Sequence, residues 1–272
     1  MQVKILGIGD IVGKPGRALI RERLPSYRRE EGVHFVVANA ENIAGGSGVM
    51  PEDADDLFRS GVDAITCGDH VWAKKEIIPY MDRTPAILRP ANYPAEQPGR
   101  GAVVIEAAGG LKVGVIHLQG NVFMNTPAAN PFKTADACIA ELKKQTPIVV
   151  IDMHCEATSE KVAMGWHTDG RASFVFGTHT HVQTADERVL PQGTAYITDC
   201  GMTGPYESVI GRRIDRVLHR MTTGMPAYFE VATGDVRICG ALAEIDSETG
   251  RASSVKRVVL TQLAPIPAPT GR

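Results

Sequence analysis

The chain of 272 residues and 29.2 kDa is long enough to bury a full core, as one large domain or two small ones. A formal net charge of -2, with 43% hydrophobic and 22% charged residues, excludes a strong general attraction to nucleic acid or anionic lipid. No apolar run approaches the ~18 residues of a membrane span, Met1-Gln2-Val3-Lys4 lacks the architecture of a signal peptide, and Cys67, Cys138, Cys155, Cys200 and Cys239 form no Cys-x-x-Cys pair, so a cytoplasmic protein with reduced thiols is expected.

Along the chain one local event recurs: an apolar run ends and a metal-capable side chain follows. Val3 to Ile8 predicts a strand, then comes Gly9-Asp10. Lys14-Pro15-Gly16-Arg17 opens a helix predicted over Gly16 to Glu31. Its first N–H groups either accept phosphate or simply begin a Pro-initiated helix. Arg17, Arg21, Arg23, Arg28 and Arg29 interleave there with Glu22, Glu30 and Glu31, which reads as a solvated face. Phe35 to Ala40, interrupted by Asn39, predicts a strand before Glu41-Asn42, and Pro51 to Ser60 a helix. Ala64 to Cys67 leads to Gly68-Asp69-His70, and Glu76 to Met81 reads as a helix. Ala102 to Glu106, Gly109-Gly110 and Leu111 to Leu118 predict a hairpin. Gly120 to Phe132, with Asn121, Asn125 and Asn130, is either a lid or an ordinary connection before a helix over Thr134 to Lys144.

Ile148 to Ile151 leads through Asp152-Met153 to His154, and Ala172 to Phe176 leads to His179 and His181. Ala227 to Val231, Val236 to Ile245 and Ser253 to Leu260 predict further strands, expected with the hairpin in a second sheet packed on the first. One domain over residues 1–262 is expected, with a poorly ordered Pro- and Ala-rich tail from Leu263 to Arg272.

Strand, polar turn, helix, strand is an α/β layered pattern. In such sheets ligands gather outside the carboxyl ends of strands. That rule puts Asp10, Glu41, Asp69, His154, His179 and His181 on one rim. In extended backbone, side chains two apart point the same way, so His179 and His181 are expected to reach one site. Each residue alone has an ordinary explanation as turn former, loop polarity or core histidine. Three carboxylates and three histidines behind successive strands make a joint coincidence improbable. Carboxylate with imidazole suits Mn, Fe, Zn or Co better than Ca or Mg. Six ligands exceed what one open catalytic metal uses. Two metals about 3.5–4 Å apart, sharing a bridging carboxylate and acting at phosphorus, fit better.

These residues resemble the calcineurin-like metallophosphoesterases, whose pattern is Asp-x-His, Gly-Asp, Gly-Asn-His-Asp/Glu, a lone His and Gly-His-x-His. The counterparts are Asp10-Ile11-Val12, Glu41-Asn42, Gly68-Asp69-His70-Val71, His154 and Thr178-His179-Thr180-His181. Val12 and Glu41 replace a histidine and an aspartate of that pattern and mark a subgroup. The segments from Gly9 to Arg17, Glu41 to Gly46, His154 to Lys161, Gly177 to Asp186 and Gly201 to Tyr206, with Thr203, closely resemble the bacterial YmdB-type family across nearly the whole chain.

The resemblance implies an α/β metallophosphoesterase fold, with two packed β-sheets flanked by helices in an αββα sandwich. It implies a dinuclear-metal phosphodiesterase for a small phosphodiester, a cyclic nucleotide such as 2',3'- or 3',5'-cAMP, attacked by hydroxide bridging the metals. Two divalent or mixed-valence transition metals, Fe or Mn ahead of Zn or Co, are expected. By position Asp10, Asn42 and His181 would hold one, Asp69, His154 and His179 the other, and Glu41 would bridge. His70 would be the catalytic general acid, and Lys14, Arg17 and Thr203 would bind substrate. The family has Asn where this chain has Asp69. The competing readings are a phosphomonoesterase and a non-catalytic regulatory metalloprotein. A His-x-His amidohydrolase barrel fits less well, because its motif comes early in the chain. No membrane partner is expected, and a homo-oligomer is compatible.

Overall fold

The computed structural model describes residues 1–262; the tail from Leu263 to Arg272 lies outside the described residues. In the first half, parallel strands alternate with helices. They run β1 (Gln2–Ile8), β2 (Asp10–Ile11), α1 (Gly13–Glu31), β3 (Phe35–Asn39), α2 (Pro51–Arg59), β4 (Ala64–Thr66), α3 (Ile77–Arg83) and β5 (Ile87–Leu88). The hairpin β6 (Ala102–Glu106) and β7 (Lys112–Gln119) opens the second half. Then come α4 (Pro131–Leu142), β8 (Val149–His154), α5 (Thr158–Thr168), β9 (Phe174–Thr178), β10 (Arg188–Val189) and β11 (Ala195–Ile197). The chain closes with β12 (Met202–Pro205), α6 (Ile214–Thr223), β13 (Val236–Asp246) and β14 (Ala252–Thr261).

Two sheets result. One has 8 strands in the order β2-β12-β13-β1-β3-β4-β5, with β14 on β13, and the other has 6 in the order β10-β11-β9-β8-β7-β6. The hairpin therefore joins the second sheet as expected. β13 and β14 do not: β13 pairs antiparallel with β1 and so extends the first sheet. Ala227 to Val231, expected as a strand, contributes only an isolated bridge from Val231 to Arg212.

The strands alternate between two apolar layers, as period-2 backbone requires. Val3, Ile5, Phe35 and Val37 face Val115, Val150, Phe174 and Phe176 of the other sheet. Leu6, Ile8, Val36 and Ala38 face outward onto Leu19, Leu24, Leu57 and Ile77 of the helices. On the far side, Ile116, Val149, Ile151 and Met153 pack on Ala135, Ile139 and Met164. Helix, sheet, sheet, helix is thus the observed layering. Burial on both faces explains why these strands read as continuous apolar runs. No helix among the described residues is long and apolar enough to cross a membrane. All five cysteines are free thiols.

The strands outrun the apolar runs that reveal them. β8 continues to His154 and β9 to Thr178, because Asp152, His154 and Thr178 are buried polar members of the ladder. The carboxyl ends of β1, β3 and β4 in one sheet and of β8 and β9 in the other meet at one rim. Asp10, Glu41 and Asp69 come from the first sheet, and His154, His179 and His181 from the second.

Candidate metal centre

His154 Nε2 is the hub of the rim. It lies 3.0 Å from His179 Nδ1, 3.2 Å from Asp69 Oδ1 and 3.3 Å from Glu41 Oε2. One ligand atom from each of these four residues falls within 4.8 Å of the others. A second group sits beside it: His181 Nε2 is 3.1 Å from Asn42 Oδ1 and 4.0 Å from Asp10 Oδ1. Asp10 Oδ2 accepts the His179 backbone N–H at 3.0 Å, whereas the buried Oδ1 has no hydrogen-bond partner. An orphaned carboxylate oxygen in the interior is costly unless a cation meets it. Gly68 shows how closely the backbone approaches: a Cβ there would lie 2.2 Å from His154 Nε2 and 2.3 Å from Glu41 Oε2. The donor set and the orphaned oxygen fit a pair of cations.

Each histidine is oriented through its other nitrogen, as ligating imidazoles are. His181 Nδ1 donates to Ile210 O at 3.1 Å, His154 Nδ1 meets Thr178 Oγ1 at 2.9 Å, and His179 Nε2 faces Glu156 Oε2 at 3.3 Å. The expected extended His-x-His is not what delivers the pair. β9 ends at Thr178, and His179 and His181 have φ of 93° and 65°, positive values uncommon outside glycine. That turn sends His179 to the cluster around His154 and His181 to Asn42 and Asp10.

Under the rim lies a polar network that the sequence reading missed. Asp152 accepts Thr66 Oγ1 at 2.5 Å, Thr178 Oγ1 at 2.7 Å and Asn39 Nδ2 at 3.2 Å. His117 Nδ1 is 3.2 Å from Asp152 Oδ2 but is not aligned for a hydrogen bond. A carboxylate inside an apolar strand, two residues before His154, is the signal that could have found it. Glu156, two residues after His154, is the matching signal on the other side.

Charge in the metal-free rim is strongly coupled. Burial pushes the Asp10 carboxyl up to about 6, against the pull of His181 and His154. Burial also disfavours charge on Glu41, yet His154 and His70 hold it well below the ordinary carboxylate value. The reciprocal holds for His154, whose burial is outweighed by Glu41, Asp69 and Asp10, so it stays protonated well above its ordinary value. Burial and the His154 charge push His179 down to about 4. The His154 proton is thus favoured by Glu41, Asp69 and Asp10 around it.

The rim opens into a cavity of about 400 Å³, lined on one side by Glu41, Asn42, His70, Glu156, His179 and His181. Val209, Ile210, Arg212, Val217, Met221 and Phe229 line the other side. His70 stands at this cavity with its side chain 41% exposed. None of the three expected substrate ligands, Lys14, Arg17 and Thr203, lines this cavity. Arg17 ion-pairs with Asp53 of α2. Thr203 is fully buried, exchanging hydrogen bonds with the Cys239 backbone. Lys14 lines a separate groove with Pro15 and Tyr228. The first N–H of α1, on Gly13, is taken by Asn42 O at 2.9 Å. Polar sequence near the rim therefore does not suffice to place a side chain in it. Segment 120–130 is tied down at both ends. Glu160 accepts the Asn121 N–H at 3.0 Å, and Asn92 donates its side-chain amide to Ala129 O at 2.9 Å while its backbone carbonyl accepts the Ala129 N–H at 2.8 Å.

Residues 6–258 match the model of the YmdB-like protein family. The chain belongs to the YmdB-like family. It is 47% identical over 258 residues to the 2',3'-cyclic-nucleotide 2'-phosphodiesterase of Bacillus subtilis (strain 168), covering 95% of this chain and 97% of that one. Two crystal structures resemble this YmdB-like chain closely. A hypothetical protein from Thermus thermophilus superposes with a TM-score of 0.88 at 37% identity, over 96% of this chain and 100% of that one. A protein described as a novel phosphatase from Mycoplasma pneumoniae gives 0.89 at 32% identity, over 97% and 95%. The YmdB-like fold has the calcineurin-like layering that the sequence motifs imply.

Proposed function

We propose that this chain is a dinuclear-metal phosphodiesterase acting on cyclic nucleotides such as 2',3'- or 3',5'-cAMP. The observation that carries the reading is the pair of ligand groups at one cavity, His154 with Glu41, Asp69 and His179, and His181 with Asn42 and Asp10. The similarity to the Bacillus subtilis phosphodiesterase supports the substrate class. Glu41 belongs to the first group and adjoins Asn42 of the second in sequence, and would bridge them. Mixed carboxylate, amide and imidazole donors favour Fe or Mn, with Zn or Co also accommodated. Bound there, the metals would supply Lewis-acid charge to phosphate oxygens and activate water.

The chain's own residues then divide the remaining work. His70 directs Nδ1 at Glu41 Oε1, 3.2 Å away, which leaves Nε2 to give a proton to the leaving oxygen. The Glu41 hydrogen bond raises the His70 pKa above its ordinary value, against burial, and so favours the protonated acid. The apolar wall of Val209, Val217, Met221 and Phe229 excludes water and offers a surface for a nucleobase. The test is turnover of 2',3'-cAMP, 3',5'-cAMP, a chromogenic phosphodiester and a phosphomonoester by Mn- or Fe-loaded protein. Diester hydrolysis well above monoester hydrolysis is expected; hydrolysis of the monoester alone, or of none, contradicts the reading.

A further inference from the structure

Beneath the His-x-His turn lies a charged pair that the proposed chemistry does not use. Lys161 of α5 and Asp199 are 1% and 0% exposed, with Lys161 Nζ 2.6 Å from Asp199 Oδ2. Thr180, the residue between the two ligand histidines, closes a ring with them. Its Oγ1 donates to Asp199 Oδ2 at 2.6 Å and accepts from Lys161 Nζ at 3.2 Å. Asp199 is itself held, because Oδ1 accepts the Gly201 N–H at 2.7 Å and its own N–H donates to Thr184 Oγ1 at 2.9 Å. Gly177 leaves room for the lysine stem: a Cβ there would lie 2.7 Å from Lys161 Cδ.

A buried ion pair is a weak source of stability, since desolvating both charges costs about as much as their attraction returns. Its location is the informative feature. His179 and His181, on either side of Thr180, both have a positive-φ backbone that strains a non-glycine residue. Relaxing that turn to ordinary extended geometry would swing the two imidazoles onto one side and dismantle one ligand group. Asp10 Oδ2 holds the His179 N–H at 3.0 Å and the Met202 N–H donates to His181 O at 3.1 Å, and the Thr180 hydroxyl, gripped from both sides, holds the middle residue.

We propose that Lys161, Asp199 and Thr180 are positioning residues. They fix the left-handed His179–His181 turn and thereby deliver one imidazole to each of two metal positions. The inference rests on the dinuclear reading. Replacing Thr180 with Val removes the hydroxyl at nearly constant shape, whereas Thr180→Ser keeps it. Stability is measured on metal-free protein, and metal affinity by titration with Mn²⁺ followed by metal analysis.

The expected result has three parts. Metal-free Thr180→Val melts within a few degrees of the parent, its metal affinity falls about 10–100-fold, the usual cost of losing an outer partner of a ligand, and Thr180→Ser stays near the parent. Thr180→Ala against Thr180→Ser carries the same comparison should valine be rejected beside Asp199. Parent-like affinity in both the Val and Ala variants, or an equal loss in Ser, overturns the positioning role. Failure of the parent itself to bind metal would instead overturn the dinuclear reading.

Discussion

Glu41 grips His70 twice: Oε1 lies 3.2 Å from His70 Nδ1, and Oε2 accepts the His70 backbone N–H at 3.2 Å. The residue proposed to bridge two cations thus also orients the imidazole at the mouth of the cavity. In the proposed mechanism, the same carboxylate would aim a proton on the far nitrogen at the leaving group.

His70→Ala is therefore expected to retain its metals and lose about 10²-fold or more in kcat on a poor leaving group, the usual worth of a general acid. The loss shrinks on a substrate whose leaving group needs no proton. Steady-state kinetics on a series of aryl phosphodiesters measures this. An equal loss across the series would show that His70 acts by position or charge instead.

Asp69 shares the His154 cluster as an anion, at the position where the family pattern has an amide. A carboxylate there lowers the positive charge of the loaded site by one and weakens its attraction for a phosphodiester anion. Asp69→Asn is expected to keep the fold and metals while raising turnover and lowering KM at neutral pH. A pH–rate profile of both forms at saturating metal checks this. A slower Asn form at every pH would mean that the carboxylate serves the chemistry.

Asp10 makes the metal-free protein pH-sensitive in a defined direction. Its folded pKa of about 6 stands above the ordinary 3.8, so the native state binds more protons than the unfolded chain between those values. Stability then falls as pH rises through that window, on the order of 1–3 kcal/mol. Metal-free Asp10→Asn should accordingly melt higher than metal-free parent at pH 7 and at the same temperature near pH 4. Metal loading should reverse the order at pH 7, because the parent alone keeps the full ligand set. Calorimetry of both forms, with and without Mn²⁺, tests all three statements.

The layered fold was legible because Val36 with Val37, and Ile5 with Leu6, are buried on both strand faces and leave unbroken apolar runs. The gathering of Asp10, Glu41, Asn42, Asp69, His154, His179 and His181 at one rim was legible because each follows such a run. The partition of β13 and β14 between sheets was not legible, since pairing with β1 depends on a register between the two ends of the chain that no local pattern carries. Nor was the turn at Thr180: positive φ falls on His179 and His181 rather than on the nearby Gly177, and the Thr180 hydroxyl is held by Lys161 and Asp199 from elsewhere in the chain. Arg17 misled for a related reason. Its position beside Asp10 in sequence said nothing about Asp53, which α2 brings to it in space.

Anomalous diffraction from crystals of Mn- or Fe-loaded protein tests the dinuclear centre most directly. The account predicts two peaks per chain about 3.5–4 Å apart. One should lie among Glu41, Asp69, His154 and His179, the other among Asp10, Glu41, Asn42 and His181, and the first should vanish in His179→Ala. A single peak, or two peaks away from these side chains, would contradict it.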